Sequence, residues 1–160
     1  MKKYIPIFLS AFLILLFNGC TQDNWIDWKL QNELWMLNNK DADGVQTTRT
    51  GLQYKVLYQG NTSDARPTSS STVIVRYKGT LINGAVFDET EGVSLSVSSV
   101  VSGFAEGLKL MNAQADYILY IPWQLGYGSD GNDVGEGYAG FIPPYSTLIF
   151  EIHLTSIIPN

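Results

Sequence analysis

Apolar residues at helical spacing mark the first regular segment of the chain. Within residues 23–39 a row of aliphatic side chains recurs at intervals of four, four and three, which predicts a helix. The row consists of Ile26, Leu30, Leu34 and Leu37. Three tryptophans fall to one side of it: Trp25, Trp28 and Trp35. We expect the helix to pack on its own domain; the alternatives are that it lies on a membrane or pairs with a second copy in a homodimer.

After a polar linker, "KDADG" at residues 40–44, the pattern changes to short β-type runs separated by turn residues. The runs cover residues 52–58, 72–81, 94–97, 117–121 and 147–157. One short helix interrupts them, capped by Ser102 and with an apolar face of Phe104, Leu108 and Met111. These elements predict an α+β domain over residues 47–160, in which an antiparallel sheet wraps around the short helix and the N-terminal helix precedes it.

The first twenty residues, "MKKYIPIFLSAFLILLFNGC", have the parts of a secretory signal: two lysines, an uncharged apolar run and small residues before Cys20. The apolar run is shorter than the about 20 residues that a transmembrane helix needs. Cys20 is the only cysteine, and its position resembles the lipobox of bacterial lipoproteins, whose cysteine becomes the lipidated first residue. We therefore expect residues 1–19 to be a lipoprotein signal peptide and residues 20–46 to be a tether. The alternative is simple secretion with an unpaired cysteine.

A lipid anchor predicts that the protein is held on a membrane of the bacterial cell envelope and faces the periplasm or the cell exterior. Without its signal the 160-residue chain keeps 141 residues, enough for one domain with a sizeable core. Removal of Lys2 and Lys3 leaves eight of the 10 basic residues against 15 acidic ones, a net charge of −7. Because no basic cluster is present, nucleic acid is not expected as a partner.

The glycine-rich segment near the C-terminus contains two incomplete motifs. "GEGYAG" at residues 135–140 matches a dinucleotide fingerprint, but Pro143 and Pro144 prevent the helix that this fingerprint must open. "DGNDVGEG" begins like a calcium loop, yet Val134 and Phe141 stand where oxygen ligands are required. We expect an acidic loop there and no bound cofactor.

Nucleophilic and metal chemistry lack the necessary residues. His153 is the sole histidine, on the outward side of an alternating strand. No GxSxG elbow supports a catalytic triad, and zinc ligation would need further histidine or cysteine ligands. The sequence thus predicts neither a hydrolytic site nor a metal site.

Four motifs in a fixed order carry a family resemblance: "VIVRYKGTLINGAVFDET", "VVSGFAEGLKLM", "IPWQLGYG" and "GFIPPYSTLIFEIHL". Together they resemble the FKBP family of peptidyl-prolyl cis-trans isomerases, in particular the macrophage infectivity potentiator type of bacterial envelopes. The resemblance covers residues 51–158 and implies an antiparallel sheet wrapped over one helix. Since residues 23–39 lie outside it, we expect the N-terminal helix to be dispensable for the fold.

The resemblance also implies an aromatic pocket. Its catalytic positions are Phe87, Asp88, Phe104 and Tyr127, and its substrate-binding positions are Tyr77, Val100, Val101, Phe141, Ile142 and Phe150. Asp88 would accept hydrogen bonds at the rim and orient its neighbours, while the Tyr127 hydroxyl would donate to a substrate carbonyl. The alternative for Asp88 is that it satisfies backbone N–H groups where a strand ends. The implied partners are proline-containing polypeptides and macrolides of the rapamycin type.

The sequence departs from the family pattern in four places, one of them near Val93, where an aromatic often lines the pocket and the wall would here be thinner. Phe104 stands where the pocket floor is usually tryptophan, and the loop before Phe141 is longer than usual. Gln114 replaces a glycine after the short helix, so we expect the chain to turn through Asn112 instead. Three hypotheses on function therefore remain, and the first two are an isomerase that assists the folding of exported proteins and a non-enzymatic proline-peptide binding or chaperone module. A purely structural lipoprotein is a third.

Overall fold

The computed structural model describes residues 25–63 and 65–158. Its elements are α1 (Ile26–Asn39), β1 (Val45–Thr47), β2 (Gln53–Tyr58), β3 (Thr72–Thr80), β4 (Val86–Ser96), α2 (Ser102–Leu110), β5 (Ala115–Ile121) and β6 (Leu148–Ile158). Single turns of 3-10 helix occur at Val97–Ser99 and Trp123–Leu125. The predicted signal peptide and Cys20 lie outside the described residues. Within those residues, no helix is long and apolar enough to cross a membrane.

All six strands belong to one antiparallel sheet, in the order β1-β2-β5-β6-β3-β4. Side chains along β5 alternate between buried and partly exposed, as expected for a strand with one face on the core. On that face lies α2, whose Phe104 and Leu108, with Met111 just after them, are at most 3% exposed. The predicted α+β architecture and the predicted apolar face of α2 are confirmed.

Two glycines bring α2 close to β5. A Cβ atom at Gly103 would lie 2.4 Å from Ile121 Cγ2, and one at Gly107 would lie 2.3 Å from Leu119 Cδ1. At such distances the Ile121 and Leu119 side chains or the helix would have to shift, so glycine at both positions permits the present helix-to-strand spacing. Because Phe104 lies on the same helix, this spacing also fixes how far its ring is from the sheet.

The strand predictions were incomplete at both sheet edges. Residues 94–97 were predicted as a whole strand, whereas the strand begins at Val86; β1 was not predicted at all. None of the side chains of β4 is buried, so its sequence shows no clear apolar alternation. Charged and polar residues are common on edge strands because they discourage pairing with other chains.

Two local predictions were wrong, one at the start of α2 and one after its end. Ser102 is the first helical residue and not a cap: its hydroxyl donates to the Leu125 carbonyl at 3.1 Å. Gln114 itself adopts the left-handed conformation, with φ of +64°, so the chain does not need Asn112 to turn. The Gln114 side-chain amide donates to the Thr155 carbonyl, and this bond helps to hold a conformation that non-glycine residues rarely adopt.

The N-terminal helix packs on its own domain, as expected, but through the face that carries the tryptophans. We call this face, formed by Trp25, Trp28, Lys29, Asn32, Trp35, Met36 and Asn39, the tryptophan side; all seven residues are buried or half-buried. Trp35 lies 5.6 Å from the ring of Tyr120, on the face of β5 opposite to α2. The aliphatic row is exposed, with Ile26 at 49%, Leu30 at 54%, Leu34 at 49% and Leu37 at 54%.

Candidate functional site

A cavity of about 470 Å³ opens between α2, β3, β4 and the segment before β6. This volume lies within the range of about 300–1,000 Å³ that small-molecule and peptide pockets occupy. Nine of the ten predicted site residues line it: Tyr77, Phe87, Asp88, Val100, Val101, Phe104, Tyr127, Ile142 and Phe150. Positions separated by up to 73 residues in the sequence thus meet in one place.

An edge-to-face cluster of aromatic rings forms the inner part of the cavity. The Phe150 ring is at its centre, with centroids 4.8 Å from Phe104, 5.3 Å from Phe87 and 5.5 Å from Tyr77, at angles between 72° and 87°. Gly79 leaves room for this arrangement, because a Cβ atom there would lie 2.5 Å from Phe87 Cζ. Edge-to-face pairs of this kind add about 0.5–1.5 kcal/mol each beyond area burial, so the ring contacts stabilise the apolar interior.

Three residues of the lining carry the hydrogen-bonding groups on which the predicted chemistry depends: Tyr77, Asp88 and Tyr127. The Tyr77 hydroxyl donates to Asp88 Oδ2 at 2.6 Å, a short bond typical of a charged acceptor. Asp88 lies within β4 and not at a strand end, so the alternative of satisfying N–H groups at a strand terminus does not apply. Tyr127 lies at the mouth of the cavity and is 42% exposed.

The two rim tyrosines remain hydrogen-bond donors at neutral pH. Burial, together with the hydrogen bond to Asp88 and the charge of Asp88, raises the pKa of Tyr77 far above its ordinary value. Burial and the charge of Asp88 likewise raise the pKa of Tyr127. Since both values rise from about 10, neither hydroxyl loses its proton near neutrality.

Phe141, the tenth predicted residue, is not part of the cavity lining. Its ring instead lies 6.0 Å from the ring of Trp25, between the loop and α1. Ile142, the next residue, is only 2% exposed and does line the cavity. The "FIPP" motif therefore contributes one side chain to the pocket and one to the contact with the N-terminal helix.

Five lining residues were missed by sequence reasoning: Leu95, Ser99, Asn132, Val134 and Gly140. Asn132 is the most informative of them, because it closes the base of the long acidic loop. Its Oδ1 accepts from the Ile142 N–H at 2.9 Å, its Nδ2 donates to the Gly140 carbonyl at 2.7 Å, and its own N–H donates to the Ile142 carbonyl at 3.1 Å. An asparagine beside Gly131 was a turn signal, but nothing in the sequence indicated its partner.

A second cleft, of about 510 Å³, lies on the outer face of the sheet. Side chains of both charges line it, including Arg76, Lys78, Glu89 and Glu151. His153 lies in this cleft, with Nδ1 2.8 Å from Asp116 Oδ1, and it does not line the aromatic cavity. Among the described residues, no three His, Cys, Asp or Glu side chains form a group that could hold a metal ion.

The sequence is similar to those of known proteins. A family model described as FKBP-type peptidyl-prolyl cis-trans isomerase matches residues 63–155. The Outer membrane protein MIP of Legionella longbeachae is 39% identical over 145 residues, covering 88% of this chain and 57% of that protein. The chain spans about half the length of the curated relatives it matches.

Solved structures show the same architecture. The crystal structure of FkpA from Escherichia coli matches with a TM-score of 0.73 and 36% sequence identity, covering 83% of this chain and 60% of that one. The structure of a peptidyl-prolyl cis-trans isomerase from Pseudomonas syringae pv. tomato matches with a TM-score of 0.76 and 28% identity, covering 88% of this chain and 100% of that one.

Proposed function

Because this chain belongs to the family of FKBP-type peptidyl-prolyl cis-trans isomerases, we propose that it accelerates X-Pro isomerisation in exported proteins and so assists their folding. The observation that supports this most directly is the cavity itself, in which an apolar aromatic interior is bordered by Asp88 and two protonated tyrosines. Proline-containing polypeptides are the proposed substrates, and rapamycin-type macrolides are proposed ligands of the same cavity.

The proposed mechanism needs no proton transfer and no covalent intermediate. Rotation about the X-Pro bond must disrupt amide resonance, with a barrier of about 18–20 kcal/mol for a peptide bond. A planar amide has more charge separation than the twisted transition state, so removal of water from the bond favours twisting. Each ~1.4 kcal/mol of this preference is worth a factor of ten in rate.

The chain's own residues divide this work. Phe104 and Phe150, at 3% and 7% exposure, form the dry interior against which the proline ring would lie. Tyr127 would donate its hydroxyl to a substrate carbonyl at the mouth. Asp88 would hold the Tyr77 hydroxyl and so keep the Tyr77 ring packed against Phe150.

A protease-coupled assay with a proline tetrapeptide tests the proposed function. The wild-type chain should accelerate isomerisation, and kcat/KM should stay nearly constant over roughly pH 6 to 8, because Tyr77 and Tyr127 remain protonated there. A steep pH dependence would overturn the mechanism. Absence of activity with retained binding of peptide or macrolide would favour the binding or chaperone module, and absence of both would favour a structural lipoprotein.

Replacing Tyr127 by phenylalanine should lower kcat/KM about fivefold with little change in stability. The substitution removes only a hydroxyl from a side chain that is 42% exposed, and one neutral hydrogen bond contributes about 1 kcal/mol. Kinetics and thermal unfolding should be measured on the same samples. Unchanged kinetics would mean that the hydroxyl does not contact the substrate.

We further propose that Cys20 is acylated, so that residues 20–46 connect a membrane-held lipid to the domain in the cell envelope. A fatty-acid analogue fed to cells should label the wild type and leave Cys20→Ser unlabelled. In Cys20→Ser cells the protein should move to the soluble fraction. Equal labelling of both proteins would refute the lipid anchor.

The exposed aliphatic row of α1 supports a homodimer between anchored copies. Its four side chains are about half exposed, but four residues are far fewer than the roughly 20–30 per partner of a standard interface. Such a contact would be weak in solution and promoted by confinement on one membrane. Cross-linking in membranes should capture dimers of the wild type and lose them in a Leu30→Asp, Leu34→Asp chain; equal capture of both would exclude this interface.

A further inference from the structure

We propose that the tryptophan side of α1 positions one wall of the cavity, and that Trp28 and Asn32 are therefore positioning residues for the proposed isomerase activity. The wall in question is the segment of residues 141–147, here called the wall segment, which leads from the acidic loop into β6. Neither residue lines the cavity. The inference rests on the proposed function only in its kinetic part, since the contacts themselves can be tested without catalysis.

Direct contacts join α1 to both ends of the wall segment. At its start, the rings of Trp25 and Phe141 lie 6.0 Å apart. Near its end, Trp28 Nε1 donates to Ser146 Oγ at 3.0 Å, and Ser146 Oγ in turn donates to the Pro143 carbonyl at 2.7 Å. The Trp28 indole N–H thus orients the Ser146 hydroxyl, whose bond to the Pro143 carbonyl closes the turn between residues 143 and 146.

Asn32 connects α1 to the wall segment through a buried side-chain amide. It is fully buried, at 0% exposure, although its side chain is polar. Its Oδ1 accepts from the Thr147 N–H at 2.7 Å, and its Nδ2 donates to the Trp28 carbonyl at 2.8 Å. A buried amide is tolerated only when its groups are paired, so these bonds specify the position of Thr147 relative to the helix.

The wall segment contains a strained residue that needs such support. Tyr145 has a left-handed backbone with φ of +61°, a conformation that costs of order 1–3 kcal/mol in a non-glycine residue. Lys29 Nζ lies 5.0 Å from the Tyr145 ring centroid and 5.5 Å from that of Trp123. The Tyr145 and Trp123 rings meet edge to face at 5.2 Å. The helix therefore contacts the strained residue directly.

Two hydrogen bonds from backbone N–H groups of the wall segment connect it to residues in or beside the cavity lining. Ile142, within the segment, lines the cavity and bonds through its N–H to Asn132 Oδ1. The Tyr145 N–H donates to the Gly128 carbonyl at 2.9 Å, and Gly128 directly follows Tyr127. A displaced wall segment would thus move one apolar wall and the proposed carbonyl-binding hydroxyl together, while Phe104 on α2 would stay in place.

The experiment compares four single substitutions in the full-length chain: Asn32→Ala, Trp28→Phe, Ser146→Ala and, as control, Gln31→Ala. Gln31 is an exposed amide residue on the same helix, so its loss tests for a general effect on helix propensity. Trp28→Phe keeps an aromatic ring but removes the N–H donor together with part of the packing surface of the indole, and it serves if Asn32→Ala does not fold. Kinetics are measured well below the unfolding transition of every variant.

We expect KM for the proline tetrapeptide to rise about fivefold in Asn32→Ala and Trp28→Phe with kcat nearly unchanged, and Gln31→Ala to match the wild type. In the double variant Trp28→Phe, Ser146→Ala, KM should be no higher than in the single variant with the higher KM, because both substitutions remove the same hydrogen bond. Loss of stability with unchanged KM would show that α1 only supports the fold, and would overturn the proposal.

Amide hydrogen exchange gives a readout that does not depend on catalysis. The N–H groups of Ile142 and Tyr145 should exchange about fivefold faster in Asn32→Ala, whereas that of Leu119 on β5 should keep its wild-type rate. If the wild type is no isomerase, this pattern would still support the positioning by α1 while the proposed function fails. If the N–H groups of Ile142 and Tyr145 exchange at the wild-type rate in all variants, the positioning of the wall segment by α1 is refuted.

Discussion

Replacing Phe104 by alanine should reduce kcat/KM about a hundredfold, the largest kinetic effect expected of any single change, equivalent to roughly 2.7 kcal/mol of transition-state stabilisation. The Phe104 ring is 3% exposed and packs against Phe150 at 4.8 Å and Tyr77 at 5.8 Å. Truncation would open the cavity floor to water, and the proposed mechanism depends on a dry floor. Steady-state kinetics on the proline tetrapeptide provide the measurement.

The same substitution should destabilise the domain by roughly 3–5 kcal/mol, so unfolding must be measured beside activity. Phe104→Trp is the matched control, because it restores the residue usual in the family and should preserve or raise activity if the cavity has kept family dimensions. A folded Phe104→Ala protein with wild-type kinetics would contradict a role for the floor. An inactive wild type that gains activity as Phe104→Trp would support the binding-module alternative.

Removal of residues 1–46 should lower the free energy of unfolding by roughly 3–6 kcal/mol while leaving a single cooperative transition. The truncated chain would start at Thr47 and lose the tryptophan side, which exposes Tyr120 and leaves the Thr147 N–H without Asn32. It would also lose the hydrogen bonds of Gln53 with Asn39 and Met36. We therefore expect the first 46 residues, which include α1 and two of the three residues of β1, to be dispensable for cooperative folding but not for stability.

Urea unfolding of this chain should be compared with that of a chain starting at residue 21, which keeps α1 and lacks only the signal and Cys20. The slope with denaturant should be smaller in the shorter chain, because less surface is exposed on unfolding. Equal midpoints would show that the contacts of α1 contribute nothing, whereas a shorter chain that does not fold would make the helix an obligatory part of the core.

The fold and most of the cavity could be predicted because their signals are local or shared with a family. The face of α2 followed from the spacing of Phe104, Leu108 and Met111, and their burial confirms it. The nine cavity residues came from the order of the motifs and not from periodicity. Their roles in catalysis remain predictions.

The contacts that could not be predicted depend on distant partners. The periodicity of α1 indicated two neighbouring apolar faces, the aliphatic row and the tryptophan side, and did not show which one is buried. The tryptophan side faces the domain because its partners Tyr120, Ser146 and Thr147 lie there. A tryptophan side offers a large ring and an N–H donor, which an aliphatic row lacks. Phe141 and Asn132 were misplaced or missed for the same reason, since each is defined by a partner elsewhere in the chain.

If the chain is exported as proposed, the contact between α1 and the wall segment limits the order in which it can fold. Asn32 and Thr147 are 115 residues apart, and Trp28 and Ser146 are 118 apart. During such an export α1 could not complete these contacts until nearly the whole chain had crossed the membrane. Such long-range closure is slow compared with local helix formation. A chain that emerges N-terminus first would accordingly lack the contacts between α1 and the wall segment throughout translocation. Its cavity wall would take its final position only at the end.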